Sequence, residues 1–251
     1  MMPPTRILCL ILFSSLLLPV DVDAQVSRED WPPELTEKWD PVPPMVVPGT
    51  HSQPPSDAVV LFDGSSLDAW EAPDGDAARW TISEGTAIST AGSGGIQTKQ
   101  GFGSIQLHVE FRTPSDVQGD GQGRGNSGVF LQGRYEVQVL DSYENVTYSN
   151  GQAGSVYKQH IPLVNASTAP GTWQTYDIFY TAPVFEENGS VARPAYVTVV
   201  HNGILIQNHV EIRGNTEYKG LPEYSAHGDG PIMLQDHGNP VAYRNIWLRP
   251  L

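Results

Sequence analysis

Glu136, Gln138 and Asp141 fall within one stretch, Tyr135-Glu136-Val137-Gln138-Val139-Leu140-Asp141-Ser142. Carboxyl and amide groups gathered in this way can transfer protons and hold hydroxyl groups. Tyr135, Val137 and Val139 alternate with Glu136 and Gln138, so a strand here sends the apolar set into a core and the polar pair to the opposite face. Glu136 and Gln138 then lie about 7 Å apart on one surface. Asp141 follows Glu136 at an odd offset, which a regular strand turns to the other face. A bulge near Leu140 is expected to bring it back beside Glu136, so that two carboxylates share one site. A solvated edge strand satisfies the same pattern, and further support must come from the rest of the chain.

A second polar group lies in Gly230-Pro231-Ile232-Met233-Leu234-Gln235-Asp236-His237-Gly238, where Gln235 and His237 share a face. The neighbouring Asp236 can tune the imidazole. The loop from Ser115 ends Gly123-Arg124-Gly125-Asn126-Ser127-Gly128, one hairpin before Glu136. Arg124 and Asn126 are therefore within reach of the same surface. Lys158 follows a glycine-rich turn near that edge. No His-x-His or His-Glu-x-x-His spacing supports zinc. A divalent cation held by Asp and carbonyl oxygens stays open. Gly-x-Ser-x-Gly is absent and the single cysteine is Cys9, which removes serine and cysteine acyl chemistry. Asn145-Val-Thr, Asn165-Ala-Ser and Asn188-Gly-Ser match the glycosylation sequon.

The elements that must position these residues read as strands. In Ile105-Gln106-Leu107-His108-Val109-Glu110-Phe111-Arg112 the alternation is complete. Further strands are predicted over 59–62, 80–84, 86–90, 95–99, 127–132, 135–140, 172–181, 196–201, 204–209, 232–236 and 244–248, and no helix of ten residues is predicted. Asn202-Gly203 between two apolar runs predicts a tight hairpin. So many short strands need two sheets, and the predicted fold is an all-β, two-sheet antiparallel jelly-roll sandwich spanning residues 58–251.

Two segments precede it. Residues 1–24 resemble a secretory signal, with Arg6, an apolar run from Ile7 to Val20, and Val22-Asp23-Ala24 as a cleavage site. Its run is too short for a transmembrane anchor. Residues 25–57 read as an extended arm, because 31–55 hold eight prolines. The chain carries a net charge of −14, which repels phosphate backbones and excludes nucleic acid as a partner. A secreted or periplasmic protein with a neutral or cationic ligand is expected.

The order of several motifs is familiar. Leu61-Phe62-Asp63-Gly64 with Trp70, Asn126-Ser127-Gly128-Val129-Phe130, the Tyr135–Ser142 stretch, Trp173-Gln174-Thr175-Tyr176, His201-Asn202-Gly203, Gly230–Gln235 and Tyr243-Arg244-Asn245-Ile246 follow one another. From about Val59 to Leu251 the chain resembles the 3-keto-disaccharide hydrolase domain family, also catalogued as domain of unknown function 1080. The resemblance implies a concanavalin-like jelly roll, export, and cleavage of glycosides already oxidised to a ketone at C3. A C3 ketone acidifies the C2 proton, so a base can form an enolate, the C1 oxygen leaves by β-elimination, and water adds back. Implied roles follow: Glu136 or His237 as the C2 base, and Asp141 as proton donor or as a metal or hydroxyl ligand. Arg124, Asn126, Gln138, Lys158 and Gln235 would bind the carbohydrate substrate or its enolate. The same fold contains retaining endoglucanases with a Glu-x-Asp-x-x-Glu strand, whose spacing Glu136, Gln138 and Asp141 reproduce with different residues. A conventional retaining glycosidase and a non-catalytic lectin-like module are the two rival readings.

Overall fold

The computed structural model describes residues 31–50 and 53–251. The signal-like segment 1–24, with Cys9, lies outside the described residues. The chain divides into two units, Met1–Met45 and Val46–Leu251. The described part of the first carries one exposed 3-10 turn, Pro33–Thr36. The second begins at Val46, so residues 46–57 of the expected arm belong to the globular unit. Within it, Arg249 Nη2 and Asp57 Oδ2 pair at 2.6 Å.

In chain order the strands begin with β1 (Val59–Phe62), β2 (Trp70–Glu71), β3 (Thr81–Ser83), β4 (Thr86–Ile88) and β5 (Ile96–Thr98). The long β6 (Ile105–Arg112) leads to β7 (Ser127–Leu131) and β8 (Tyr135–Val139). After β9 (Gln174–Thr181) come the short β10 (Val184–Phe185) and β11 (Val191–Arg193), then β12 (Ala195–His201) and β13 (Ile204–Ile212). The chain closes with β14 (Met233–Leu234) and β15 (Ala242–Pro250).

The large sheet runs β13-β12-β9-β6-β15-β4-β3, with β1 also paired to β15. A five-stranded sheet runs β2-β5-β14-β7-β8, and β10 with β11 forms a separate ribbon. Every strand pairing between named strands is antiparallel. The fold is the all-β jelly-roll sandwich of the lectin and glucanase type. Asn202 and Gly203, with φ of 52° and 78°, make the predicted hairpin turn between β12 and β13.

Alternation sets the core. Ile105, Leu107, Val109 and Phe111 of β6 are fully buried against Val129 and Leu131 of β7 and Tyr135, Val137 and Val139 of β8. Burying so many branched and aromatic side chains, at about 1.5–3 kcal/mol each, is what holds the two sheets face to face. Three tyrosine hydroxyls from the large sheet then fix where the small sheet sits. Tyr176 donates to the Gln138 carbonyl at 2.8 Å, Tyr180 to Gln132 Oε1 at 2.6 Å, and Tyr243 to Ser127 Oγ at 2.7 Å. A buried phenol without a partner is costly, so these bonds specify register as well as depth.

Strand β8 ends the small sheet, and its free edge is covered. Segment Gly154–Tyr157 runs along it, with Gln138 N–H donating to Ser155 O, Gly154 N–H to Gln138 O and Tyr157 N–H to Glu136 O. This satisfies an edge that otherwise invites pairing with another chain. It also brings Tyr157 beside Glu136.

Candidate active site

The register of β7 on β8 determines what faces outward. Phe130 pairs with Glu136 and Gly128 with Gln138, so these four share the face turned away from the core. Strand β14 lies on the other side of β7, with Met233 opposite Phe130. Gln235 N–H donates to Gly128 O at 3.0 Å, which carries Gln235 and then His237 onto the same face.

A cleft of about 260 Å³ results, lined by Asn126, Phe130, Glu136, Gln138, Tyr157, Thr216, Tyr218, Gln235 and His237. Five of the eight residues expected at the site, Glu136, His237, Asn126, Gln138 and Gln235, meet in it. Its walls are built from loops. Thr216 Oγ1 accepts from Glu136 N–H at 2.9 Å, and Tyr157 and Tyr148 share a hydroxyl bond at 2.6 Å.

Glu136 is only 4% exposed. Burial pushes its carboxyl up to about 8, and desolvation is the cause. Its room comes from Gly128. A Cβ there would lie 2.4 Å from Glu136 Oε1 and 2.9 Å from the Phe130 ring, so a side chain at this position displaces the carboxyl. The hydrogen-bonding pattern orients the Gln138 amide with its nitrogen toward Glu136 Oε1 at 3.0 Å and toward Ser127 O at 2.9 Å. Burial first, and next the bond to Tyr148, raise the phenol of Tyr157 well above its ordinary value. Asn126 is fixed through Nδ2 on Gln122 O at 2.7 Å, and the buried Oε1 of Gln235 has no hydrogen-bond partner. His237 is exposed at the rim.

Three expected residues stand elsewhere. The β7–β8 register is unbroken from Tyr135 to Val139 and the strand ends there, so the expected bulge that would turn Asp141 toward Glu136 is absent. Asp141 instead lines a neighbouring cavity of about 220 Å³ together with Arg124. The reason is an ion pair: Arg124 Nε meets Asp141 Oδ2 at 2.7 Å, with the aspartate side chain 2% exposed. Arg124 also donates to Tyr143 O at 3.0 Å. The paired-carboxylate expectation is therefore corrected, and Glu136 is the one carboxyl among the residues lining the cleft. Lys158 does not line it either. Its ammonium donates to Tyr218 O at 2.6 Å and sits 4.3 Å from the centre of the Tyr218 ring, beside the wall.

Phe130, Tyr157, Thr216 and Tyr218 were not anticipated. Phe130 was legible, because it occupies the outward phase of β7. Thr216 and Tyr218 come from an irregular loop after β13 with no period to read. Among the described residues no group of three or more His, Cys, Asp or Glu is placed to hold a metal ion. No helix among them is long and apolar enough to cross a membrane. The sequons are structural in part: Asn145 Nδ2 is spent on Gly121 O and Asp141 O, and Asn165 Nδ2 on Ser142 O.

Comparison with known proteins agrees with this fold. A crystal structure of a candidate glycosyl hydrolase from Parabacteroides distasonis ATCC 8503 superposes with a TM-score of 0.85 at 52% identity, covering 88% of this chain and 97% of that one. Two more candidate glycosyl hydrolases from the same organism share the fold. One has a TM-score of 0.58 at 17% identity, over 78% of this chain and 94% of that one. The other has a TM-score of 0.54 at 19% identity, over 77% of this chain and 99% of that one. A search of curated proteins gave no match. The profile of the 3-keto-alpha-glucoside-1,2-lyase-like domain matches residues 57–249, nearly all of the sandwich and both sides of the cleft, and the chain belongs to that family.

Proposed function

We propose that the Glu136 cleft cleaves glycosides oxidised at C3, by C2 proton abstraction, β-elimination and hydration. The observation that carries this reading is the single carboxyl of the cleft, buried and shifted to about 8. At neutral pH such a carboxyl is mostly protonated, so it enters the reaction as an acid. The base is then His237, the one imidazole among the residues lining the cleft.

The steps balance on these two groups. His237 takes the C2 proton, and the electrons of that bond pass toward the C3 oxygen as an enolate. The C1–O bond breaks, and the departing oxygen receives the Glu136 proton. Water then adds to C1 of the unsaturated ketone, giving its proton to the Glu136 carboxylate, while C2 takes a proton from His237, which at the exposed rim has exchanged with solvent in between. Thr216 Oγ1, Gln235 and Gln138 supply hydroxyl and amide groups around the sugar and its enolate oxygen. A retaining double displacement needs two carboxyl groups about 5–5.5 Å apart. The cleft offers one.

Export is the setting we propose, on the strength of Arg6, the apolar run to Val20 and the Val22-Asp23-Ala24 site. The protein is to be incubated with a glucoside and with its 3-keto counterpart. Release from the 3-keto glycoside alone is expected; release from the unoxidised glycoside indicates a conventional glycosidase, and binding without release a lectin-like module.

A further inference from the structure

The cavity holding Arg124 and Asp141 is not an isolated hollow. Three chain segments pass from the cleft into it: Asn126 to Arg124, Gln138 to Asp141, and His237 to Asn239. Asn239 Oδ1 accepts from Asn126 N–H at 2.7 Å and ties two of them at the divide. Gln138 and Asp141 are three residues apart, so the cleft and the cavity adjoin, which suits two ring-sized groups joined through one oxygen.

We propose that this cavity is the leaving-group subsite of the cleft and that it takes an apolar, aromatic aglycone. The proposal rests on the reading of the Glu136 cleft as a site of glycoside cleavage. Pro114, Val117 and Pro240 give the cavity its apolar wall. Its polar groups are largely spent on one another, including the exposed Gln118 Nε2, which donates to Asp116 Oδ2 at 3.1 Å. Arg124 uses Nε on Asp141 and Nη2 on Tyr143 O; Asp141 Oδ1 accepts from Tyr143 N–H at 3.2 Å. A second sugar ring would bring hydroxyls to a wall with few free partners and lose its bonds to water. A hydroxyl-free ring loses none, covers the exposed Val117, and can stack on the guanidinium plane. Cavities of about 150 Å³ admit benzene, so a volume of about 220 Å³ is sufficient.

Methyl and benzyl 3-keto-glucosides test this, because their leaving alcohols have similar acidity and differ in the ring. The full-length protein is expected to show a KM for the benzyl glycoside lower by roughly tenfold or more. Val117→Asp, an exposed loop change, is expected to erase that ratio. Equal KM values in the unaltered protein, or an unchanged ratio in the variant, overturn the proposal. If neither glycoside is cleaved, the cleavage reading fails, and the subsite is read by calorimetry instead. Tighter binding of the benzyl than the methyl glycoside, lost in Val117→Asp, then supports the apolar subsite, and equal binding overturns it.

Discussion

Glu136 combines two features that work against each other in an ordinary surface residue: it is buried, and no basic group offsets its desolvation. Its proton is therefore held to about pH 8. Replacing it by Gln removes the acid while keeping the shape, and should lower kcat by about 10²–10⁴. The unaltered protein should lose kcat as the pH rises through about 8, the limb of an acid that must be protonated. Stability carries the same sign. The folded value is raised above the ordinary carboxyl value of 4.5, so the stability linked to this group is complete below that pH and is lost as the pH rises to about 8. Glu136→Gln is thus expected to be more stable than the unaltered protein at pH 8.5, by a few kcal/mol, with little difference at pH 4; thermal unfolding across that range checks the sign. At Gly128 the same carboxyl leaves no room for a Cβ. Gly128→Ala should cost about 1–3 kcal/mol and most of the activity, read by unfolding and by turnover together.

Strand β8 shows why some elements were legible and others were not. It begins at Tyr135 as expected, because one face must be buried and a slip of one residue would bury Glu136 in the core. Strand β6 spans Ile105–Arg112, the residues over which its sequence alternates, for the same reason. Strands β2, β10 and β11 span two or three residues and are too short to show a period. What alternation cannot reveal is where a strand stops. Leu140 continues the apolar texture, yet the strand ends at Val139 and Asp141 turns into its bond with Arg124. Removing one member of a buried pair leaves an unpaired charge. Arg124→Ala should therefore destabilise the protein by about 3–5 kcal/mol, while the alkaline limb near pH 8 stays in place, since Glu136 is untouched. Loss of that limb would return Asp141 to the proton-transfer machinery.

At the scale of the whole molecule, the cleft exists because two sheets are held in register by an apolar core and by the hydroxyls of Tyr176, Tyr180 and Tyr243. The sandwich followed from period, as did Glu136 and Gln138 on β8, and Asn126, Gln235 and His237 followed from their spacing beside β7 and β14, whereas the Thr216–Tyr218 wall arises only when the loop after β13 folds over β8. Changing all three tyrosines to Phe should cost about 3 kcal/mol in denaturant unfolding and raise KM by loosening the floor of the cleft. The chemistry itself is most directly read from hydrogen at C2. When the protein cleaves a 3-keto glycoside in heavy water, elimination and hydration return a solvent deuteron to that carbon. Mass and NMR spectra of the earliest product should show one deuterium at C2, above the exchange of added product alone. A product that leaves the unaltered protein with its original C2 proton would contradict cleavage by elimination.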